Sequence, residues 1–346
     1  MPEYKKNNLE AEKKDDNSNR ETNGLPSKET FTNINYLNNY LSSFSNILNT
    51  LEIIDYIGDG SEGYVYRAKI KDNNREVILK LLKKKNNEEI NISKKLKHIN
   101  IVNCYGFIEI KKGVLFGIIL EYGKHGDLIH FFRKIIKRSC ISESLLCYIS
   151  YQILQGLLYM HKCKIAHFDI KPQNVVIDEY LCAKIIDFSI SINYKNIKGN
   201  KIKLPFVGTS FFMSPEVIQS NTIDIDDISK VDTYSFGVML YFLYFGYYPF
   251  NLRNEDKGDY NKIYNKKMNK LEFNKNEYNI SAGFVDFLEK LLDPNIKKRL
   301  SVFEAINHKF IQNAQILYDE KEKVHNASSF LAYLMTDHIK SFEDKL

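Results

Sequence analysis

Four side chains in the middle of the sequence have the types and spacing to act on a phosphorylated nucleotide. They begin in His167-Phe168-Asp169-Ile170-Lys171-Pro172-Gln173-Asn174, which runs into the apolar Val175-Val176-Ile177. Lys184-Ile185-Ile186 then leads into Asp187-Phe188-Ser189. In such a set one carboxylate can orient a hydroxyl, while a second carboxylate and an amide oxygen hold Mg²⁺ against phosphates. Either half alone is compatible with a structural turn. Upstream, Gly58-Asp59-Gly60-Ser61-Glu62-Gly63 spells G-x-G-x-x-G with Val65 close behind, and Lys80 follows an apolar run. Glycines let backbone N–H groups approach a phosphate. A dinucleotide-binding turn needs a helix straight after the last glycine, whereas Tyr64-Val65-Tyr66 continues as strand, so the spacing predicts a hairpin. Lys80 alone reads as a solvated edge charge. Placed between the glycine loop and the two acids, it belongs to a set that chance explains poorly.

In this order the motifs resemble the eukaryotic protein kinase superfamily, serine/threonine type, over residues 51–310. Gly208-Thr209-Ser210-Phe211-Phe212-Met213-Ser214-Pro215-Glu216 is similar to the end of an activation segment. Asp232-Thr233-Tyr234-Ser235-Phe236-Gly237 resembles the central buried helix, Arg299 the family arginine that pairs with Glu216, and Ala305–Phe310 the closing helix. The resemblance implies an α+β, bilobal fold: a small five-stranded sheet lobe with one helix (51–122) and a larger, mainly helical lobe (123–310). It implies ATP and Mg²⁺ as cofactors and protein substrates as partners. Asp169 would be the base, Lys171 would neutralise charge on the transferring phosphate, Thr209 would sit beside both, and Asn174 and Asp187 would bind Mg²⁺. Lys80 would hold phosphates, paired with Glu89, with Glu88 a near competitor. Gly58, Gly60, Ser61 and Gly63 would line the phosphates, and Val65, Ile78 and Val176 would sandwich adenine. Leu120 would be the gatekeeper, Glu121 and Gly123 would offer backbone groups to adenine, and Asp127 would reach the ribose.

The elements that must position these groups follow from patterning. Strands are expected at Leu51–Ile57, Tyr64–Lys69, Glu76–Leu81, around Val102, and at Leu115–Glu121, with a short helix at Glu88–Leu96. Beyond Gly126 helical apolar faces dominate, such as Leu145, Ile149, Ile153, Leu157 and Met160. Two lobes with a crevice between them are the natural inference. Residues 1–30 have almost nothing to bury and read as a disordered tail. Residues 31–50 read as a linker or short helix, with Leu37, Leu41, Phe44 and Leu48 at helical spacing. Residues 311–346 read as a helical extension whose apolar face, Phe330, Leu331, Leu334 and Met335, is too small to fold alone.

Several positions depart from the family pattern. Phe168 stands where an arginine normally clasps a phosphate on the activation segment (a non-RD arrangement), so phosphorylation there should matter little. Ser191 is the acceptor position best suited to probe this, among Ser189, Ser191, Tyr194, Thr209 and Ser210. Ser189 replaces the glycine of Asp-Phe-Gly, a substitution that is strained only if φ is positive. Glu89 comes only nine positions after Lys80, which places that ion pair in question. Ser93 falls where an apolar residue is usual, and Ile78 replaces a small alanine.

Composition narrows the classes further. With 346 residues, 44% hydrophobic and 13% aromatic, the chain can bury a substantial core. A net charge of +6 does not demand nucleic acid, and the most apolar stretch, Tyr234–Phe250, is too short and polar to span a membrane. Five cysteines without a C-x-x-C pair argue against a disulfide framework or structural zinc. A reducing compartment follows, with the cytoplasm expected and the nucleus left open. A regulatory partner is expected at the small-lobe helix or the C-terminal extension. Two functional readings stand. An active kinase is favoured by intact Lys80, Asp169, Lys171, Asn174 and Asp187, and a pseudokinase, a nucleotide-binding or scaffolding module, by Ser189, Ser93, Ile78 and the short connection to the helix. A nucleic-acid-binding protein rests only on scattered lysines.

Overall fold

A computed structural model describes residues 31–42, 50–59, 63–111, 115–136, 141–269, 271, 273, 280–314, 317 and 327–334. Residues 1–30, with Phe44, Leu48, Gly60, Ser61 and Met335, lie outside the described residues. The chain divides into two compact units, one taking the described residues up to Lys97 together with Val102–Tyr122, the other His98–Ile101 and those from Gly123 onward.

The smaller unit is a five-stranded antiparallel sheet in the order β1-β2-β3-β5-β4, built from β1 (Leu51–Asp59), β2 (Gly63–Ile70), β3 (Glu76–Leu82), β4 (Cys104–Lys111) and β5 (Leu115–Glu121). Strand β4 starts at Cys104, later than the sequence pattern around Val102 suggests. Ile101, just before it, belongs to the larger unit, where it makes an isolated bridge to Ile185. Alternation along β2 and β3 gives the sheet two faces. Tyr64, Tyr66, Ala68, Val77, Leu79 and Leu81 form a buried apolar layer on one face. The register Val65↔Lys80, Lys80↔Ile118 and Ile78↔Leu120 puts Val65, Ile78, Lys80 and Leu120 together on the other.

Helix α1 (Ile34–Ser42) covers the apolar layer through Leu37 and Leu41, with Phe31 stacked on Tyr64 at 4.4 Å between ring centroids. Strand β1 is an edge strand, and such an edge leaves backbone groups needing partners. Asn38 supplies them: its Oδ1 accepts from Ile53 N at 2.9 Å and its Nδ2 donates to Ile53 O at 3.2 Å. A side-chain amide thus takes the place of a neighbouring strand. Helix α2 (Asn87–Lys95) starts after a four-residue connection and is capped by the Asn86 side chain, which accepts from Glu89 N.

In the larger unit, α3 is the single turn Leu128–His130, and α4 (Glu143–Lys162) buries Leu145, Ile149, Ile153, Leu157 and Met160 along one face. Helix α5 (Pro215–Ile218) is short, and α6 (Ser229–Phe245) is buried at every residue from Val231 on. A helix apolar all round belongs inside a core, and α6 holds much of the most apolar stretch of the sequence. No helix among the described residues is long and apolar enough to cross a membrane. Helices α7 (Tyr260–Lys267), α8 (Ala282–Leu291) and α9 (Val302–Ile306) follow, and α10 (Ala327–Leu334) returns to α4. There Phe330 meets Tyr148 edge-on at 5.1 Å, and the Ser142 hydroxyl donates to Leu334 O. The described part of the C-terminal extension therefore docks on its own unit.

Because Leu37 is 1% exposed against the sheet, Leu37→Ala should cost about 2–5 kcal/mol of stability in urea denaturation. Tyr36→Ala, on the exposed side of the same helix, should stay within about 0.5 kcal/mol of wild type. Equal effects at the two positions would contradict the docking of α1.

Candidate active site

Within the smaller unit a lysine is paired with an acid. Lys80 Nζ donates to Glu89 Oε1 at 2.5 Å, with Glu89 only 3% exposed in the first turn of α2. Glu88, next to it, is exposed. The short connection brings this about by starting the helix immediately before the acid, so few helical residues are needed ahead of it. Gly63 sits so close to β3 that an added Cβ would lie 1.7 Å from Leu81 O, a packing reason for glycine that operates without any ligand. Val65, Ile78 and Leu120 share the Lys80 face, as the register requires. Glu121 N donates to Asn103 O at 2.9 Å, and its carboxylate accepts from Asn103 N and Nδ2 at 3.1 and 3.0 Å.

The larger unit assembles the second group. Thr209 Oγ1 donates to Asp169 Oδ1 at 2.8 Å, and Lys171 Nζ lies 2.8 Å from both Thr209 Oγ1 and Asp169 Oδ2. Asn174 Nδ2 donates to Asp169 O at 2.8 Å and to Asp169 Oδ2 at 2.9 Å. With its nitrogen so engaged, Asn174 has only the carbonyl oxygen to offer a cation. Asp187 adopts the left-handed conformation, φ 66°. Among the described residues no cluster of three or more His, Cys, Asp or Glu could hold a metal by itself. Gly123 approaches Val176 so closely that a Cβ would meet its side chain at 2.7 Å. Asp127 caps α3, accepting from His130 N at 2.7 Å, while burial raises its carboxyl pKa against that bond.

The protein kinase domain model matches residues 51–311. The chain belongs to the protein kinase family. It is 32% identical over 278 residues to an Aurora kinase of Debaryomyces hansenii, covering 78% of this chain and 63% of that protein. Calcium-dependent protein kinase 4 of Plasmodium falciparum is 31% identical over 274 residues, 75% of this chain and 49% of that one. Serine/threonine-protein kinase cds1 of Schizosaccharomyces pombe is 32% identical over 267 residues, 75% and 55%. The chain thus spans between about half and two thirds of the length of these relatives.

In this kinase domain the departures from the family pattern acquire local explanations. Ser189 is not among the residues with positive φ, so the loss of glycine carries no backbone strain there. The strain lies instead at Phe168, φ 68°, a conformation that costs about 1–2 kcal/mol outside glycine. Its ring is 3% exposed in a cluster with Tyr194, Ile202, Leu204, Met213, Val217 and Ile223. Ser191 is not the open acceptor its sequence context suggests: it is buried, and its hydroxyl donates to His167 O at 3.2 Å. Tyr194 is buried as well, its hydroxyl donating to His161 O and its pKa pushed up to about 12 by burial and by Asp232.

Two fully buried charged residues lie close to this group, Asp232 within the stretch that resembles the central buried helix and Lys267 outside every motif quoted above. Asp232 accepts from His167 N and Phe168 N, both at 2.9 Å, and contacts His161 Nε2 at 2.7 Å. Burial opposes its ionisation, but His161, with His167, holds the carboxyl below the ordinary range. Lys267 is fully buried on α7, and its only signal is a lysine four residues after Ile263, on the apolar face of the helix. Burial, with Arg299 adding and Glu216 opposing, brings its ammonium down to about 7. Between that value and the ordinary 10.5, the unfolded chain holds a proton that the folded one lacks, so folding stability rises with pH across this window. Below it, both states are protonated and the burden of the buried charge is carried in full. Lys267→Met should therefore raise the melting temperature most near pH 6, with an advantage that shrinks towards pH 9. Melting curves across that range check this, and a gap independent of pH would contradict it.

Proposed function

We propose that this kinase domain transfers the γ-phosphate of ATP to serine and threonine hydroxyls of protein substrates. The observation that carries the reading is the triangle of Asp169, Lys171 and Thr209. It holds a carboxylate, a cation and a hydroxyl within 2.8 Å of one another, in a chain whose similar relatives include named serine/threonine kinases. Asp169 accepts the proton of the acceptor hydroxyl, its carboxylate oriented by the bond that it accepts from Thr209 Oγ1. Lys171 neutralises charge that builds on the transferring group. Lys80, oriented by Glu89, meets the phosphates of ATP. Asn174 Oδ1 and the Asp187 carboxylate are hard oxygen donors of the type that Mg²⁺ takes alongside substrate phosphates, and too few to retain it alone. Held there, Mg²⁺ would supply positive charge against the phosphates.

The activation segment is placed by apolar packing. Ile202 and Leu204 join the Phe168 cluster, and β6 (Lys201–Lys203) pairs with β7 (Thr222–Asp224). With Phe168 in the arginine's place, a phosphate on this segment has no bidentate receptor there.

Asp169→Asn, Asp187→Asn and Lys80→Met should each abolish phosphate transfer to a generic basic protein, with nucleotide-free melting curves checking that each variant is folded at the assay temperature. Transfer near the wild-type rate in any of them would overturn the corresponding role, and an inactive wild type would favour a pseudokinase. Phosphatase treatment should change turnover only several-fold, on the scale of about 1 kcal/mol. A hundredfold loss, restored by rephosphorylation, would show that another basic group has replaced the arginine.

A further inference from the structure

Helix α7 turns Ile263 and Lys267 into the core, both 0% exposed. An amphipathic helix ordinarily places apolar side chains at such positions, and an ammonium there loses its hydration. Lys267 Nζ donates to Phe211 O at 2.7 Å and lies 4.9 Å from the centroid of the Tyr234 ring. The Arg299 guanidinium lies over the same ring at 4.7 Å and is itself tied to both carboxylate oxygens of Glu216, at 2.6 and 3.0 Å. Tyr234 on α6, Glu216 on α5 and Arg299 are the titratable and charged groups that face the ammonium. Methionine would fill nearly the same volume without the desolvation, so what lysine adds at this position is its donor.

The carbonyl that takes this bond belongs to a tight turn. Phe212 N and Met213 N both donate to Thr209 O, at 2.8 and 3.1 Å. Thr209 reaches Asp169 from the start of the same turn, through its backbone N at 3.0 Å and its hydroxyl at 2.8 Å. A continuous series of hydrogen bonds and backbone therefore links the buried ammonium on α7 to the carboxylate assigned as the base.

We infer that Lys267 is a positioning residue: by holding the Phe211 carbonyl it fixes the turn that presents Thr209 to Asp169, and with it the surface on which the acceptor polypeptide must lie. The inference rests on the kinase reading for its consequence in catalysis, but the clamp itself does not. Lys267 tethers a helix outside the catalytic motifs to the loop next to the reacting hydroxyl, and a shift of that loop by a fraction of an ångström misplaces the acceptor more than the nucleotide.

The test uses the full chain with Lys267→Met and Lys267→Gln, ATP, and a generic basic protein as acceptor. Lys267→Met should lower kcat/KM for the acceptor about tenfold, with KM for ATP unchanged and no loss of melting temperature. Lys267→Gln, which keeps a donor, should recover part of the loss. Hydrogen exchange at residues 208–213 should rise in the methionine variant. Unchanged exchange there overturns the clamp whatever the activity. Raised exchange with an unchanged acceptor kcat/KM overturns the positioning role. Raised exchange in a chain whose wild type transfers no phosphate keeps the clamp and removes the kinase reading beneath it.

Discussion

A single carboxylate holds the catalytic loop of this domain in shape. Asp232 is entirely buried in α6, where an isolated charge would be strongly disfavoured, and it is stabilised by the bonds it accepts. Two of these come from consecutive backbone N–H groups, those of His167 and Phe168, and a third contact comes from His161. Satisfying two adjacent amides with one carboxylate requires the backbone to turn sharply, and the left-handed φ of Phe168 is the form that turn takes. Asp169 follows immediately, its N–H donating to His167 Nδ1 at 3.2 Å while Nε2 of the same ring contacts Ile186 O at 3.0 Å. The loop carrying Asp169 and the segment leading to Asp187 are thus referred to one buried anion.

Around this anchor the domain combines two kinds of adhesion. The Glu216–Arg299 pair is ionic and buried, with Arg299 also donating to Asp293 O and Lys230 O, so that neither charge is left uncompensated. The contacts of Phe168 are apolar and need no charge at all. An arginine in that place would require an anion opposite it. A phenyl ring needs only shape and exclusion of water, both supplied by Ile202, Leu204 and Met213 from the activation segment itself. The order of this segment is thereby built into the sequence.

The smaller unit solves a different problem. A strongly patterned five-stranded sheet has two faces to manage, and one is committed to Lys80 and its neighbours. The other would expose Tyr64, Tyr66, Leu79 and Leu81 if α1 did not lie on it. Asn38 completes the edge of β1, and Tyr66 donates its hydroxyl to Phe31 O at 2.8 Å, so the segment before the matched domain is bound by polar as well as apolar contacts.

The sequence by itself determined the family and the fold class, and it offered the candidate residues of the loop around Asp169. Those residues sit in short motifs whose spacing is set by local backbone geometry: Asp169, Lys171 and Asn174 lie within six consecutive residues, and one turn can bring them together. Tertiary structure alone decided matters that depend on partners far along the chain. The choice of Glu89 over Glu88 depends on where α2 begins relative to β3, and the harmlessness of Ser189 on which residue takes the positive φ. Ser191 looks like an open acceptor in a polar stretch until packing buries it, and Asp127 turns out to cap a helix. Lys267 could be read as one more surface lysine, because its burial follows from α7 meeting Tyr234 and Phe211, contacts 33 and 56 residues away that no local pattern encodes.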